Sequence, residues 1–381
     1  MQLRALADPR LRGVLLLALV FGVCLAAADI FVHLNKEEPI IPGPGVTNET
    51  RLSTFAPALA GTPADTRVFV LEGDEPGGTM LLLGGVHAEE LSGLLGAILV
   101  VENVVVRRGR LIVIPQANSS GFTYTTPMEA FADGFEIETP GGLRRFRNGM
   151  RRTNPAHQWP DPDVFVHPQS GRQQVGWEAR NLNRNFPGDS RGSLTARLGA
   201  AIMDIAVTEG VSLVYDMHEA SPEYPVNNIL IAHQRGFEVA TLALWALEAR
   251  GVDIGLQASP ETLRGLSHRE FGDNTPAVSF LSETANPAKG RLRGTLSPKL
   301  VVDGTDANYQ RAAGLGLLFV PFDAAGHPLA ERTARNLATF EELTRAWNEV
   351  HPDQPMLMDG LPAAEDVMAI GLGAFLRPPP N

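Results

Sequence analysis

Two histidines and a glutamate in this chain have the residue types and spacing of a metal site. His87 and Glu90 lie in the segment GGVHAEE, directly after the apolar run Met80–Leu83. His218 ends a second apolar run, VSLVYDM. Because open α/β sheets hold their ligands at the carboxyl ends of the strands, we expect these side chains to converge. Two imidazoles and one carboxylate, with no thiolate, are typical of a catalytic zinc site that keeps an open position for water.

Three further polar motifs lie between and after these positions. They are NGMRRT at 148–153, NLNRNFPG at 181–188 and SFLSE at 279–283. A histidine and a glutamate three residues apart are weakly specific alone, since acidic residues are also favoured at a solvated helix N-terminus. Their position after strand-like runs, together with the three motifs, favours a catalytic site.

With these motifs, the chain resembles the zinc carboxypeptidase family of the carboxypeptidase A type, including its succinylglutamate desuccinylase and aspartoacylase branch. The motif order is similar to the family's: HxxE, an arginine, NRN, a strand-end histidine and a strand-end glutamate. The segment IPQANSSGFTY at 114–124 is similar to the segment that follows the second strand of these peptidases. The resemblance covers roughly residues 65 to 350.

The resemblance implies one Zn²⁺ per chain, bound by His87, Glu90 and His218. It makes Glu283 the general base that takes a proton from water activated at the zinc and passes it to the leaving amine. Glu219 directly follows His218 and is the alternative base. Because successive strand residues point to opposite faces, Glu219 is expected to face away from the zinc if the strand continues.

Arginine and asparagine side chains match the substrate-binding positions of the family. Arg151 matches the arginine that polarises the scissile carbonyl and stabilises its oxyanion, and the adjacent Arg152 is the alternative. Asn183 and Arg184 match the pair that binds the free carboxylate of the substrate, for which a planar guanidinium is suited. The expected partner is therefore a small molecule or a peptide with a free carboxylate.

Two departures from the family pattern bear on this assignment. The peptidases have an aspartate two residues before Asn183 that orients the first zinc histidine, whereas this chain has Asn181, whose amide oxygen can still accept from an imidazole N–H. Asp216 is another candidate for that role. The peptidases also use a tyrosine upstream of the base, but no tyrosine lies between 225 and 283. Either another group such as His268 takes its place, or the substrate does not need it.

Composition limits the classes of function. The 381 residues are 44% hydrophobic, as in a globular protein with a sizeable core. The net charge of -11 argues against nucleic acid as a partner, because phosphate binding needs a basic surface. The single cysteine, Cys24, excludes an internal disulfide.

The N-terminal segment predicts the location of the protein. Gly13–Ala28 is continuously apolar or small, with three arginines before it and Asp29 after it. This charge distribution orients the N-terminus inside the cytoplasm and the remainder outside. The segment is either a cleaved signal peptide or, if the run extends to Leu34, an inner-membrane anchor that faces outward. Membrane contact is expected only through an uncleaved segment.

Apolar strand-like runs alternate with helical ones, which indicates an α/β fold. We expect a sheet of the zinc carboxypeptidase type: mainly parallel, mixed and eight-stranded, with helices on both faces. An N-terminal apolar helix precedes it.

The stretch 122–180 has no clear period and is interpreted as a wall of the substrate pocket or as a disordered insertion. The expected domains are 1–35 (signal or anchor), 36–64 (linker or extended arm), 65–350 (catalytic domain) and 351–381 (tail). Expected strands are Val68–Leu71, Met80–Gly84, Leu111–Ile114, Ser212–Met217, Asn228–Ala232 and Ala277–Ser282, and expected helices are Leu91–Asn103, Leu194–Thr208, Phe237–Arg250 and Leu329–Glu349.

Three functions are compatible with these residues. The first is an exported zinc carboxypeptidase, which the N-terminal segment favours. The second is a deacylase of N-acyl amino acids, which the missing tyrosine favours and which needs the same zinc, base and carboxylate-binding residues. The third is a non-catalytic binding protein that keeps the fold.

Overall fold

The computed structural model describes residues 8–125 and 134–379 and divides into two compact units, 1–38 and 39–381. The first unit contains helix α1, Pro9–Leu34. The carboxylate of Asp8 caps it by accepting a hydrogen bond from the backbone N–H of Arg10 at 2.8 Å. Among the described residues, α1 alone is long and apolar enough to cross a membrane. The expected N-terminal apolar helix is therefore confirmed.

The second unit is built on strands that alternate with helices. Its strands are β1 (Asn48–Arg51), β2 (Arg67–Glu72), β3 (Glu75–Leu83), β4 (Val105–Ile114), β5 (Gly134–Thr139), β6 (Gly142–Arg147), β7 (Val164–Val166), β8 (Gln173–Val175), β9 (Leu213–Ala220), β10 (Ile229–Ala232), β11 (Gly255–Ala258), β12 (Val278–Ala285) and β13 (Leu357–Asp359). Its helices are α2 (Leu91–Asn103), α3 (Leu194–Thr208), α4 (Phe237–Ala249), α5 (Ser267–Asn274), α6 (Pro298–Asp303), α7 (Ala307–Gly314), α8 (Leu329–Val350) and α9 (Ala364–Ile370).

Nine of these strands form one sheet, which is mixed as expected but has one strand more than the eight-stranded type. Eight lie in the order β1-β2-β4-β3-β9-β12-β10-β11, and β13 pairs with β4. The four central strands, β4, β3, β9 and β12, are parallel, whereas the pairings of β2 with β4 and of β10 with β12 are antiparallel. The carboxyl ends of β3, β9 and β12 therefore meet at one edge of the sheet.

Helices cover both faces of this sheet. Along β3, Met80 and Leu82 belong to the core beneath α2, α4 and α8, while Leu81 and Leu83 belong to the core beneath α3. Because successive strand residues point to opposite faces, a continuously apolar strand is buried on both sides. The α/β fold with helices on both faces is confirmed.

Segments without a clear pattern in the sequence also pack on the second unit. In 36–64, β1 pairs with β2, and Leu52 and Leu59 are fully buried. In 351–381, β13 pairs with β4, and α9 and the turn after it pack on the core. The stretch 122–180 contributes two hairpins, β5–β6 and β7–β8, while 126–133 lies outside the described residues. These segments are anchored by single apolar residues in short elements. Such residues leave no periodic pattern in the sequence, so the packing of the segments could not be predicted from it.

Candidate metal centre and active-site cavity

The first two predicted metal ligands lie in the turn between β3 and α2. Gly85 has φ +61°, a left-handed conformation that favours glycine, and reverses the chain after the strand. The backbone N–H of Glu90 donates to the carbonyl of His87 at 3.1 Å, which closes the turn. A Cβ on Gly84 would lie 2.4 Å from the carbonyl oxygen of Gly93 on α2, so the motif needs glycine there. The turn thus directs His87 and Glu90 to the sheet edge.

The third predicted ligand and the predicted base lie side by side on neighbouring strands. His218 on β9 and Glu283 on β12 are paired in the parallel register. Since paired residues of adjacent strands point to the same face, both side chains are directed to the region of His87 and Glu90. Long-range pairing therefore brings together residues that are far apart in the sequence.

His87, Glu90 and His218 form one buried cluster whose ligand atoms lie within 4.8 Å of one another. The Nδ1 atoms of His87 and His218 are 3.1 Å apart. The two oxygens of Glu90 lie 2.7 Å from these Nδ1 atoms, Oε1 from that of His87 and Oε2 from that of His218. These three side chains could hold a metal ion.

Hydrogen bonds on the far side of each ring orient both histidines. The Nε2 atom of His87 lies 3.0 Å from Oδ1 of Asn181, and that of His218 lies 2.8 Å from Oδ2 of Asp216. Because these oxygens only accept, each Nε2 carries a hydrogen and each Nδ1 can offer its lone pair to a metal. The sequence left Asn181 and Asp216 as alternatives, whereas each contacts a different histidine.

The donor set fits zinc. Ligands in a tetrahedral zinc site at about 2.0–2.1 Å from the ion lie about 3.3 Å from one another, close to the 3.1 Å between the two Nδ1 atoms. In the protein without metal, burial and the charge of Arg151 lower the pKa of His87 well below its usual value. Burial alone would lower the pKa of His218 too, but Asp216 and Glu90 raise it to about 10. A proton shared by Glu90 and His218 can therefore fill the place that a cation would take.

The contacts of Asn181 explain why this chain has an asparagine where the peptidases have an aspartate. Its Nδ2 donates to Oε2 of Glu178 at 2.6 Å while its Oδ1 faces His87. A second carboxylate at this position would face Glu178 without a hydrogen to donate. The amide therefore suits a site where both neighbours must be satisfied.

Glu283 and Glu219 have different surroundings. Oε2 of Glu283 is buried without a hydrogen-bond partner among the described residues, and burial, with the charge of Glu90, raises the pKa of Glu283 to about 7. The carboxylate of Glu219 instead forms a buried ion pair with Arg332 of α8 and accepts a hydrogen bond from Asn286 at 2.9 Å. Strand β9 continues to Ala220, so the alternation of side chains directs Glu219 away from His218. Glu283 is the carboxylate available for proton transfer.

The side chains of the two adjacent arginines in the 148–153 motif point in different directions and contact different carboxylates. Nη1 of Arg151 lies 3.4 Å from Oε1 of Glu90, and Arg151 lines the cavity beside the cluster. Arg152 donates to Glu178 at 2.6 Å and stacks over the ring of Trp177, 5.6 Å from its centre. Arg151 is thus the arginine that faces the cavity.

A cavity of about 370 Å³ opens beside the cluster and contains both predicted carboxylate-binding residues, Asn183 and Arg184. Oδ1 of Asn183 accepts from the backbone N–H of Ser267 at 2.8 Å, and its Nδ2 has no hydrogen-bond partner among the described residues. Arg184 donates to the carbonyl of Asn183 at 2.6 Å and lies 3.8 Å from Oε2 of Glu178. Both side chains keep donors available to a ligand in the cavity.

His268 lies on the wall of the same cavity. Its Nδ1 contacts Oγ of Ser259 at 2.7 Å. Burial and the positive charge of His218 lower the pKa of His268 to about 3, so its ring is neutral. His268 therefore remains a candidate for the place of the missing tyrosine, and Tyr224 also lines the cavity.

Sequence reasoning missed two cations of this site. Lys289 contacts Oε1 of Glu90 and donates to the carbonyl of Glu219 at 2.6 Å. Arg172, in the turn between β7 and β8, lines the cavity. The position of Lys289 six residues after Glu283, just past a strand end, was a usable signal. Arg172 lies in a stretch without periodicity and offered none.

No protein-family model matches this chain. No curated protein matches it either. Similar solved structures include a succinylglutamate desuccinylase/aspartoacylase from Rhodobacter sphaeroides, with 18% identity and a TM-score of 0.34 over 57% of this chain and 52% of that one. Others are the product-bound cell shape determinant protein Csd4 from Helicobacter pylori (14%, 0.45, 80% and 59%) and an aspartoacylase family protein from Mesorhizobium loti (21%, 0.33, 57% and 56%).

The expected desuccinylase/aspartoacylase branch is thus among the structural neighbours. This chain spans between 52% and 59% of the length of the three structures.

Proposed function

We propose that this chain is a zinc-dependent hydrolase of an amide bond next to a free carboxylate, acting as a metallocarboxypeptidase outside the cytoplasm. The observation that carries the proposal is the convergence of His87, Glu90 and His218, with Glu283 on the wall of the adjoining cavity. The three ligands would hold one zinc ion, which supplies Lewis-acid activation of water and of a carbonyl group.

Glu283 would move the proton. Its buried Oε2 has no competing hydrogen-bond donor among the described residues. A carboxylate whose pKa lies near 7 can accept a proton from the attacking water and return it to the nitrogen of the leaving amine at neutral pH. The same group therefore serves both halves of the hydrolysis.

The arginines would bind and orient the substrate. Arg151 would donate to the carbonyl oxygen as negative charge develops on it, and such donors contribute most in a site shielded from water. Asn183 and Arg184 would bind the free carboxylate, which sets the position of the scissile bond in the cavity.

A deacylase of N-acyl amino acids is the second candidate. It would use the same residues, and the lack of a tyrosine between 225 and 283 favours it. Helix α1 favours the exported peptidase, because Arg10 and Arg12 lie in its first turn, before the apolar run. A non-catalytic binding protein has less support, since it gives no role to the unpartnered carboxylate of Glu283.

Glu283→Gln tests the proposal. The variant should keep zinc yet hydrolyse substrate about 10²–10⁴-fold more slowly, the usual contribution of a positioned general base. Turnover is measured on a panel of C-terminal peptides and N-acyl amino acids, beside zinc content by mass spectrometry. Glu209→Gln is the control. Glu209 pairs with Arg110 and lies before the amino end of β9, whereas the cluster lies at the carboxyl ends of the strands. Wild-type turnover in Glu283→Gln, or no hydrolysis of the panel by the zinc-loaded wild type, would contradict the proposal.

A further inference from the structure

Glu178 lies behind the asparagine that orients the first metal-binding histidine. It belongs to the short 3₁₀ turn Gly176–Arg180, and the backbone N–H of Asn181 donates to the carbonyl of Glu178 at 3.0 Å. Because side chains three residues apart lie above one another in such a turn, the carboxylate of Glu178 meets the amide of Asn181. Oε2 of Glu178 accepts from Nδ2 of Asn181 at 2.6 Å, and Oδ1 of Asn181 faces Nε2 of His87 at 3.0 Å. A carboxylate, an amide and an imidazole thus form one chain of hydrogen bonds that ends at the metal cluster.

The direction of the Asn181 amide decides which form of His87 it supports. An amide accepts through its oxygen and donates through its nitrogen, so the observed direction keeps a hydrogen on Nε2 and leaves the lone pair of Nδ1 free for a metal. The opposite direction would place an N–H group against Nε2 and favour the hydrogen on Nδ1. The backbone N–H of Asn183 donates to Oδ1 of Asn181 at 3.1 Å. The amide is therefore fixed at both ends, by Asn183 at its oxygen and by Glu178 at its nitrogen.

Both oxygens of Glu178 face hydrogen-bond donors. Oε1 accepts from Nη2 of Arg152 at 2.6 Å, while Oε2 accepts from Asn181. Burial alone would raise the pKa of Glu178, but the hydrogen bonds from Arg152 and Asn181 lower it below its usual value, so the group is a carboxylate at neutral pH. A glutamine at this position would have to point its own N–H group at one of the two donors. Of these two side chains, only the carboxylate satisfies both partners.

We infer that Glu178 is a positioning residue of the metal site, which holds the amide of Asn181 in the direction that leaves Nδ1 of His87 free for zinc. Glu178 and Asn181 together would then do what the resemblance assigns to a single aspartate in the peptidases. The inference rests on the proposed function, which supplies the zinc. Loss of a group that orients a metal-binding histidine typically weakens metal binding by about 10–100-fold, and this is the expected effect of removing the charge of Glu178.

An exchange of acid and amide between the two positions tests the inference on the full-length protein in detergent. Zinc affinity is measured by competition with a chelator and without substrate, because Nε of Arg184 also lies 3.8 Å from Oε2 of Glu178. Glu178→Gln should bind zinc about 10–100-fold more weakly. Adding Asn181→Asp should restore most of the affinity. The aspartate can accept from His87, and the glutamine can donate to the aspartate while it accepts from Arg152.

A second pair of variants decides the question if the exchanged protein does not fold, which circular dichroism of the metal-free protein shows. Asn181→Ala should weaken zinc binding, and Glu178→Gln should then cause little further loss, because its effect passes through the missing amide. Losses that simply add would mean that Glu178 acts by another route and would overturn the inference.

Two controls separate this role from a general loosening of the loop. Arg152→Gln removes the ion pair of Glu178 but keeps its hydrogen bond to Asn181, and Asp161→Asn removes the ion pair with Arg180 in the same stretch. Neither variant should lose zinc affinity. A loss in either control as large as that in Glu178→Gln would overturn the inference.

Wild-type zinc affinity in Glu178→Gln would overturn the inference while leaving the metal site and the hydrolase proposal intact. A loss that Asn181→Asp does not restore in a folded protein would overturn it as well. A wild-type protein that binds no zinc would instead refute the proposed function, and the inference with it.

Discussion

The Nδ1 atoms of His87 and His218 lie 3.1 Å apart although 131 residues separate them in the sequence. Each ring is held from behind, His87 by Asn181 and His218 by Asp216. Two lone pairs and a carboxylate at such short distances repel one another unless a proton or a cation lies between them. This relationship supports zinc binding and sets the first prediction.

His218→Ala should lose zinc while the domain stays folded. The variant removes one of three ligands, and the site lies at the sheet edge rather than in either apolar core. Zinc content after metal loading and dialysis is measured by mass spectrometry, and folding by circular dichroism. His351→Ala, which lies outside the cluster, should bind zinc as the wild type does. Zinc content near zero in the loaded wild type would refute the metal site itself.

Arg332→Met should destabilise the protein by about 3–5 kcal/mol, because it leaves a buried carboxylate without its partner. The side chains of Arg332 and Glu219 are exposed by 1% and 0%. Adding Glu219→Gln should restore part of this loss, since the uncompensated charge is then removed. The free energy of unfolding is measured in urea for the wild type, for Arg332→Met and for the double variant with Glu219→Gln.

The exposed pair of Lys299 and Asp303 provides the control for this ion pair. The side chain of Lys299 is 76% exposed, so Lys299→Met should change the free energy of unfolding by only about 0–1 kcal/mol. A loss in Arg332→Met no larger than that in Lys299→Met would mean that Glu219 is protonated or hydrated in the folded protein.

Arg184→Lys should weaken the use of substrates with a free carboxylate. Lysine lacks the planar group that pairs with a carboxylate through two hydrogen bonds, and the loss in transition-state binding should be about 2–5 kcal/mol for a desolvated pair. Values of kcat/KM are compared for free-acid and C-terminally amidated forms of one substrate. The amidated form should already be poor with the wild type. Equal values for both forms would indicate an endo-acting hydrolase instead.

Helix α1 should place the second unit outside the cytoplasm. Its 26 residues span about 39 Å at 1.5 Å per residue, enough to cross a bilayer. In cells with an intact inner membrane, protease added to the periplasmic side should digest a C-terminal tag. Carbonate extraction then distinguishes an anchored chain, which stays with the membrane, from a cleaved one. If the protease digests the tag only after the cells are lysed, the second unit lies in the cytoplasm and the prediction is wrong.

Much of the fold could be predicted because its elements leave local patterns. The runs around Leu82, Ile112, Val214 and Phe280 are apolar on both faces, as buried parallel strands require. Helices α2 and α3 begin and end where the sequence predicts. Helix α2 is an apolar run that is buried from Leu91 to Glu102, and α3 has an apolar face between polar ends. Segments 36–64 and 351–381 were harder, because single anchors such as Leu59 have no period.

The candidate site divides along the same line. The sequence by itself determined which residues stand at or just past the carboxyl ends of strands. It therefore determined that His87, Glu90, His218 and Glu283 belong to one edge of the sheet, because parallel strands end together. Strand alternation also determined that the side chains of His218 and Glu219 point to opposite faces of the sheet.

Only the tertiary structure decided which side chains outside regular elements face the cavity. Arg151 and Arg152 are adjacent in an irregular loop, and the partners Glu90 and Glu178, distant in sequence, select their directions. Arg172 reaches the cavity because the backbone of its turn is bonded to His167, whose ring is bonded to a carbonyl 19 residues away. In loops, side-chain direction follows from long-range contacts rather than from a backbone repeat, so no local pattern could show it.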